Sequence, residues 1–139
     1  MNIILSCYSI KGKGCFLLEK EGKIVHKEVF NIKKEENSTL KEYTFESIIK
    51  GLKHAKNIVS HEVLLLIELH NAHLVSWLNG QTEYKGYEDY LDIIFPLIEN
   101  LDCRYLFSKT DVKKAKRVLE EDRPVAPKLY SALSVFDEL

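Results

Sequence analysis

The side chains best able to do chemistry gather in two places. The first is Glu68-Leu69-His70-Asn71-Ala72-His73, with His61 a few residues upstream. His70 and His73 stand three apart, which can put two imidazoles on one metal, but zinc ligation needs at least three converging ligands and spacing implies only this pair. The plain reading is a helix-capping or solvent-facing pair, so no metal is expected. The second place is Lys109, Lys113, Lys114, Lys116 and Arg117, followed at once by Glu120, Glu121 and Asp122. Such a basic helical run is either a solvated face or a surface that holds phosphates. Cys7, Cys15 and Cys103 are odd in number and form no CxxC pair, which fits reduced thiols. No local motif gives Cys7 the activating partner and oxyanion hole that a nucleophile needs, and no cofactor is implied.

These residues sit in a chain of ordinary globular composition, 45% hydrophobic and 29% charged over 139 residues. The formal net charge of −1 provides no overall positive field, so contact with a nucleic acid must come from a local patch. No window approaches the roughly 18 apolar residues of a membrane span. The opening MNIILSCYSIKGKG lacks the basic n-region of a signal peptide, and a cytoplasmic protein with no membrane contact is expected.

The elements that must position the chemistry follow from periodicity. NIILSCYSI at 2–10, CFLLEK at 15–20 and IVHKEVFNI at 24–32 read as antiparallel strands, with KGKG at 11–14 and Glu21-Gly22-Lys23 as turns. Ser38 or Thr39 can cap a helix in which Phe45, Ile48, Ile49, Leu52 and Ala55 recur at helical spacing. VLLLIEL at 63–69 is a continuous apolar run, the pattern of a strand buried on both faces. Asn71 can cap a short helix ended by Gly80. Tyr87, Tyr90, Leu91, Ile94, Phe95 and Ile98 form a second stripe, which Pro96 should kink or split. CRYLFSK at 103–109 reads as a fifth strand, and 111–122 as a helix with Val112, Ala115, Val118 and Leu119 inward. Pro124 and Pro127 then separate a domain over 1–122 from a tail over 123–139.

This order resembles the ribonuclease H family over about residues 2–122. TLKEYTFESIIKGLKHAK at 39–56 is similar to the family's first helix, and LLLIELHNAHLVSWLNG at 64–80 to its central strand and following helix, with His70-Asn71 in place of Asp-Ser. The resemblance implies an α/β fold with a mixed five-stranded sheet flanked by helices. Members that cut the RNA of an RNA–DNA hybrid hold two Mg²⁺ with four carboxylates, on the first strand, the first helix, the end of the fourth strand and the last helix. Carried over by position, these fall on Ser6 or Cys7, on Thr44, on His70 and on Lys116. Hydroxyl, thiol, imidazole and ammonium groups cannot supply the anionic oxygens that two hard cations need.

A shifted register offers Glu68, Glu46 and Asp111 instead. Glu68 keeps the strand face but lies about 7 Å back from His70. Glu46, two residues from Thr44, is turned by some 200°.

The function expected is a non-catalytic relative, viral or phage in origin, that binds nucleic acid or a protein of nucleic-acid metabolism, with Lys109, Lys113, Lys114, Lys116 and Arg117 as the nucleic-acid contact. One alternative is an active metal-dependent hybrid nuclease with displaced carboxylates; another is a protein-interaction module acting through the tail. Ala132-Leu133-Ser134-Val135-Phe136 resembles the Gln-Leu-Ser/Asp-Leu-Phe peptide by which bacterial replication proteins dock on the sliding clamp, with Ala132 for Gln and Val135 for Leu. Leu133 and Phe136 are thus expected to anchor a partner, the alternative being that they pack on their own core.

Overall fold

The structure, a computed structural model, describes residues 2–58, 63–81, 86–99, 101–108 and 110–121, with only the backbone at 110 and 111. β1 (Asn2–Ile10), β2 (Lys13–Lys20) and β3 (Lys23–Asn31) form an antiparallel meander. Two-residue turns join them. Glu21 (φ 52°) and Gly22 (φ 79°) both take positive φ in the second, which matches the right-handed twist of the paired strands. The first turn needs only Gly12, at φ 86°. Gly14 lies inside β2, where a Cβ would collide with Ser47 Oγ and come within 2.8 Å of Ile32 and 2.9 Å of Phe30. Its lack of a side chain serves close packing rather than the turn expected of it.

Close approach is what the first helix requires. α1 (Leu40–Ala55) starts at Thr39, whose side chain accepts from the Glu42 amide while Glu42 Oε1 accepts from the Thr39 amide at 2.8 Å, a reciprocal capping box. Phe45, Ile48, Ile49, Leu52 and Ala55 are buried, as their spacing predicts. β4 (Leu64–Leu69) pairs parallel with β1, and β5 (Asp102–Phe107) parallel with β4, giving the order β3-β2-β1-β4-β5. α2 (Ala72–Leu78) is capped by Asn71, which accepts from the Leu74 amide at 3.0 Å. α3 (Glu88–Ile98) packs on α1, and α4 (Thr110–Glu121) crosses β1 and β2 from the other side.

Strand alternation sorts side chains between the two faces. Ile3, Leu5, Cys7, Phe16, Leu18, Leu65, Ile67 and Leu69 join α1 in the main core, while Cys15 and Leu17 meet Ala115 and Leu119 of α4. Two expectations give way here. β4 is not buried on both faces: Leu64 and Leu66 stay half-buried, because α4 lies chiefly over β1 and β2. Pro96 does not split α3: it falls in the last turn, with only Leu97 and Ile98 after it, so the amide it lacks comes near the end of the helix and the helix runs on to Ile98. Phe95 leaves the inward stripe and is 57% exposed, whereas Ile94 is fully buried against the α1 side.

Candidate nucleic-acid interface

Parallel pairing of β1 with β4 sets Ser6 opposite Glu68, so the chain just beyond these residues brings Tyr8 toward His70 at the carboxyl end of β4. Two depressions meet there. One, between β1 and α1, is lined by Cys7, Tyr8, Ser9, Ile10, Leu40, Thr44, His70 and Asn71. The other, between β1 and α4, is lined by Tyr8, His70, Val112, Lys113 and Lys116. Each encloses about 170 Å³, smaller than the roughly 300–1,000 Å³ of sites that engulf drug-sized molecules and suited to a small group presented from outside.

A polar pin fixes the first depression. Ser9 Oγ hydrogen-bonds the Tyr43 carbonyl at 2.9 Å and also meets Ser47 Oγ, and Ser47 Oγ reaches the Tyr8 carbonyl at 3.4 Å. The end of β1 is thereby tied to α1 one turn from Thr44. Thr44 Oγ1 donates to the Leu40 carbonyl at 3.1 Å, which uses its proton inside the helix. His70 is exposed, and its ring stacks on Phe107 with centroids 5.8 Å apart.

Thr44, His70, Cys7 and Lys116 are therefore brought to this end of the sheet, and Ser6 is not among its lining residues. Ser6 is fully buried on the α4 face beside Glu68, which is itself only 6% exposed. Glu46 points elsewhere, pairing with Lys34 at 2.9 Å and lining a different depression beside β3. Burial drives the Cys7 thiol far above its ordinary value, with Cys15 adding to the effect, so Cys7 stays protonated at neutral pH. His73 is exposed on α2 away from His70's depressions, and His61 lies outside the described residues. Among the described residues no group of three His, Cys, Asp or Glu is gathered to hold a metal. The described side chains at the strand ends supply hydroxyls, an imidazole, a capped amide and two ammonium groups. That donor set does not fit Mg²⁺, which takes anionic and carbonyl oxygens.

The basic helix divides its charges. Lys113 and Lys116, three apart, share one flank of α4 and line the depression with Tyr8 and His70. Lys114 turns the other way and pairs with Glu19 of β2 at 3.0 Å. Arg117 is exposed and outside the lining, and Lys109 lies outside the described residues, as does the tail with Leu133 and Phe136.

Tyr8 is the residue that sequence reasoning missed. It is one of seven tyrosines in the chain and has no local signal that sets it apart. The others with defined surroundings pack inward: Tyr90 stacks on Phe45 at 4.4 Å, Tyr87 lies 5.5 Å from the same ring, and Tyr43 and Tyr105 are buried. Only the β1–β4 register singles Tyr8 out, and the sequence alone does not carry that register.

No family model matches the sequence, and no curated protein matches it. Solved structures do match its shape. LC11-RNase H1, solved in complex with an RNA/DNA hybrid, superposes with a TM-score of 0.71 at 11% identity, covering 86% of this chain and 94% of that one. RNase H1 from the halophilic archaeon Halobacterium salinarum gives 0.69 at 12%, covering 87% and 97%. The N-terminal RNase H domain of a Mycobacterium tuberculosis protein gives 0.71 at 11%, covering 86% and 91%. Strand order, parallel β1–β4–β5 pairing and helices on both faces agree with these superpositions: the chain has the ribonuclease H-like fold.

Proposed function

We propose that this domain binds nucleic acid without cutting it by two-metal chemistry. One observation carries the reading. Among the described residues Tyr8, Thr44, His70, Asn71, Lys113 and Lys116 line the strand ends, and no described carboxylate stands with them. Two-metal hydrolysis needs oxygens of negative charge at that point. Ammonium groups there repel cations and attract phosphates. The solved neighbours lend the ligand class: LC11-RNase H1 is complexed with an RNA/DNA hybrid, and a foamy viral protease-reverse transcriptase with the same kind of hybrid. Leu133 and Phe136 take no part in this reading.

The test is direct. Incubated with a labelled RNA–DNA hybrid in Mg²⁺ or Mn²⁺, the protein leaves the strands intact, while fluorescence anisotropy shows binding that weakens steeply with salt. Metal-dependent cleavage that disappears in Glu68→Gln would overturn the reading and show that the buried Glu68 takes the place of the missing acids.

A further inference from the structure

We infer that the depression between β1 and α4 binds a phosphate group directly, with Lys113 and Lys116 doing the work that fixed metal ions would do in a carboxylate site. The binding is accordingly independent of metal. The nucleic-acid reading above supplies only the source of the phosphate; the chemistry of the pocket stands apart from it.

Three features of the site point to an anion. First, the charged groups are not neutralised: among the described residues Lys113 and Lys116 have no ion pair and no hydrogen bond, and both are exposed. Lys114 on the opposite flank shows the contrast, since its ammonium is held by a buried carboxylate. Second, the pocket adds neutral groups of the right kind. The Tyr8 hydroxyl is a donor with no hydrogen-bond partner among the described residues, and His70 can donate from a ring nitrogen. Third, among the described residues no acid lines the pocket, the side chain of Asp111 lying outside them. The nearest acids in the β1–β2–β4 sheet, Glu19 and Glu68, are buried, and Glu19 is paired with Lys114.

Two ammonium groups three residues apart on one helix flank lie about one turn from each other and can share a phosphate dianion or two oxygens of a diester. A divalent cation would gain nothing there. It would instead compete for the phosphate, so Mg²⁺ should weaken binding rather than support it.

Two probes separate the possible sources of the phosphate. Anisotropy with a labelled RNA–DNA hybrid is measured in EDTA across a salt series, and calorimetry is run with inorganic pyrophosphate. The proteins compared are the unaltered chain, the double substitution Lys113→Ala/Lys116→Ala, and Lys114→Ala, which removes the same charge from the same helix. We expect hybrid binding in EDTA, about a tenfold or greater loss in the double variant, a salt slope smaller by about two, and a change within about twofold for Lys114→Ala. Adding Mg²⁺ at constant ionic strength should leave affinity unchanged or lower.

Pyrophosphate binding that depends on Lys113 and Lys116 without hybrid binding would keep the pocket and remove the nucleic-acid reading. Hybrid binding that needs Mg²⁺, or that survives the double substitution, overturns the pocket and leaves the nucleic-acid reading in place. Binding of neither probe overturns both.

Discussion

The two faces of the sheet are built to different standards. Under α1 and α3 the side chains form one continuous apolar cluster in which Phe45 meets Trp77, Tyr87 and Tyr90 with ring centroids 4.4–5.7 Å apart. Under α4 the buried apolar residues are Cys15, Leu17, Val112, Ala115 and Leu119, and the same face also buries Ser6, Glu19 and Glu68. Apolar burial contributes roughly 25 cal/mol per Å², and buried polar atoms cost unless bonded, so the α1 face carries the stability. The α4 face is the smaller of the two and ends in the depression lined by Lys113 and Lys116.

The largest test of this asymmetry is Phe45→Ala set against Leu119→Ala. Phe45 is fully enclosed by aromatic neighbours that cannot collapse into the space it leaves, and its loss should cost about 3–5 kcal/mol in urea unfolding. Leu119 is also buried, but it lies near the end of a helix resting on a small cluster, and its loss should cost about 2–3 kcal/mol. Equal costs would mean that the α4 face is as much a core as the other.

A smaller effect separates the lysines. Glu19 is only 5% exposed in its side chain and Lys114 is 48% exposed, so Lys114→Ala strands a buried carboxylate and should lower stability by about 1 kcal/mol after allowing for solvent. Lys113→Ala removes an exposed charge with no partner among the described residues and should stay within about 0.5 kcal/mol. If the two behave alike in thermal melting, the Lys114–Glu19 pair contributes nothing to stability and the sorting of these lysines by partner fails.

The same asymmetry explains what could be read from the residues. α1 is legible because Phe45, Ile48, Ile49, Leu52 and Ala55 keep a helical period and Thr39 with Glu42 form a cap, both local signals. The mixed five-stranded sheet that the family-like order of elements implies is present, with its strands in the order β3-β2-β1-β4-β5. The candidate site is less legible, because it depends on register between strands more than fifty residues apart in sequence. That register places Tyr8 at the pocket and leaves Ser6 buried behind it. The sorting of Lys113 and Lys116 from Lys114 depends likewise on where α4 crosses β2, which puts Glu19 within reach of one lysine alone. Gly14 and Phe95 were misplaced for the same reason: their roles are set by neighbours distant in sequence, not by local pattern.

The smallest predicted effect uses the three thiols as reporters of the two faces. Cys103 sits on β5 at the edge of the α1 side, opposite Leu65, where burial, helped by the charge of Asp102, pushes its thiol up to about 11. At pH 8 its thiolate fraction should be about a hundredfold below that of a free cysteine, and iodoacetamide should label it correspondingly slowly, gaining about tenfold per pH unit. The folded chain holds this proton more tightly than the unfolded chain does. Its contribution to stability is therefore complete below about pH 9 and is lost as pH rises through 11, so the melting temperature should hold level to about pH 9 and then fall, less steeply in Cys103→Ser. Cys7 lies in the α1 core, while Cys15 lies under α4 with its thiol donating to the Ala115 carbonyl at 3.3 Å. Both are fully enclosed and react only through opening of the fold. Since α4 is held by the smaller cluster, Cys15 should be labelled before Cys7 in mild urea, as read by mass spectrometry of labelled peptides. Simultaneous labelling of the two would mean that the faces open together, and the division between a more and a less stable face would have to be given up.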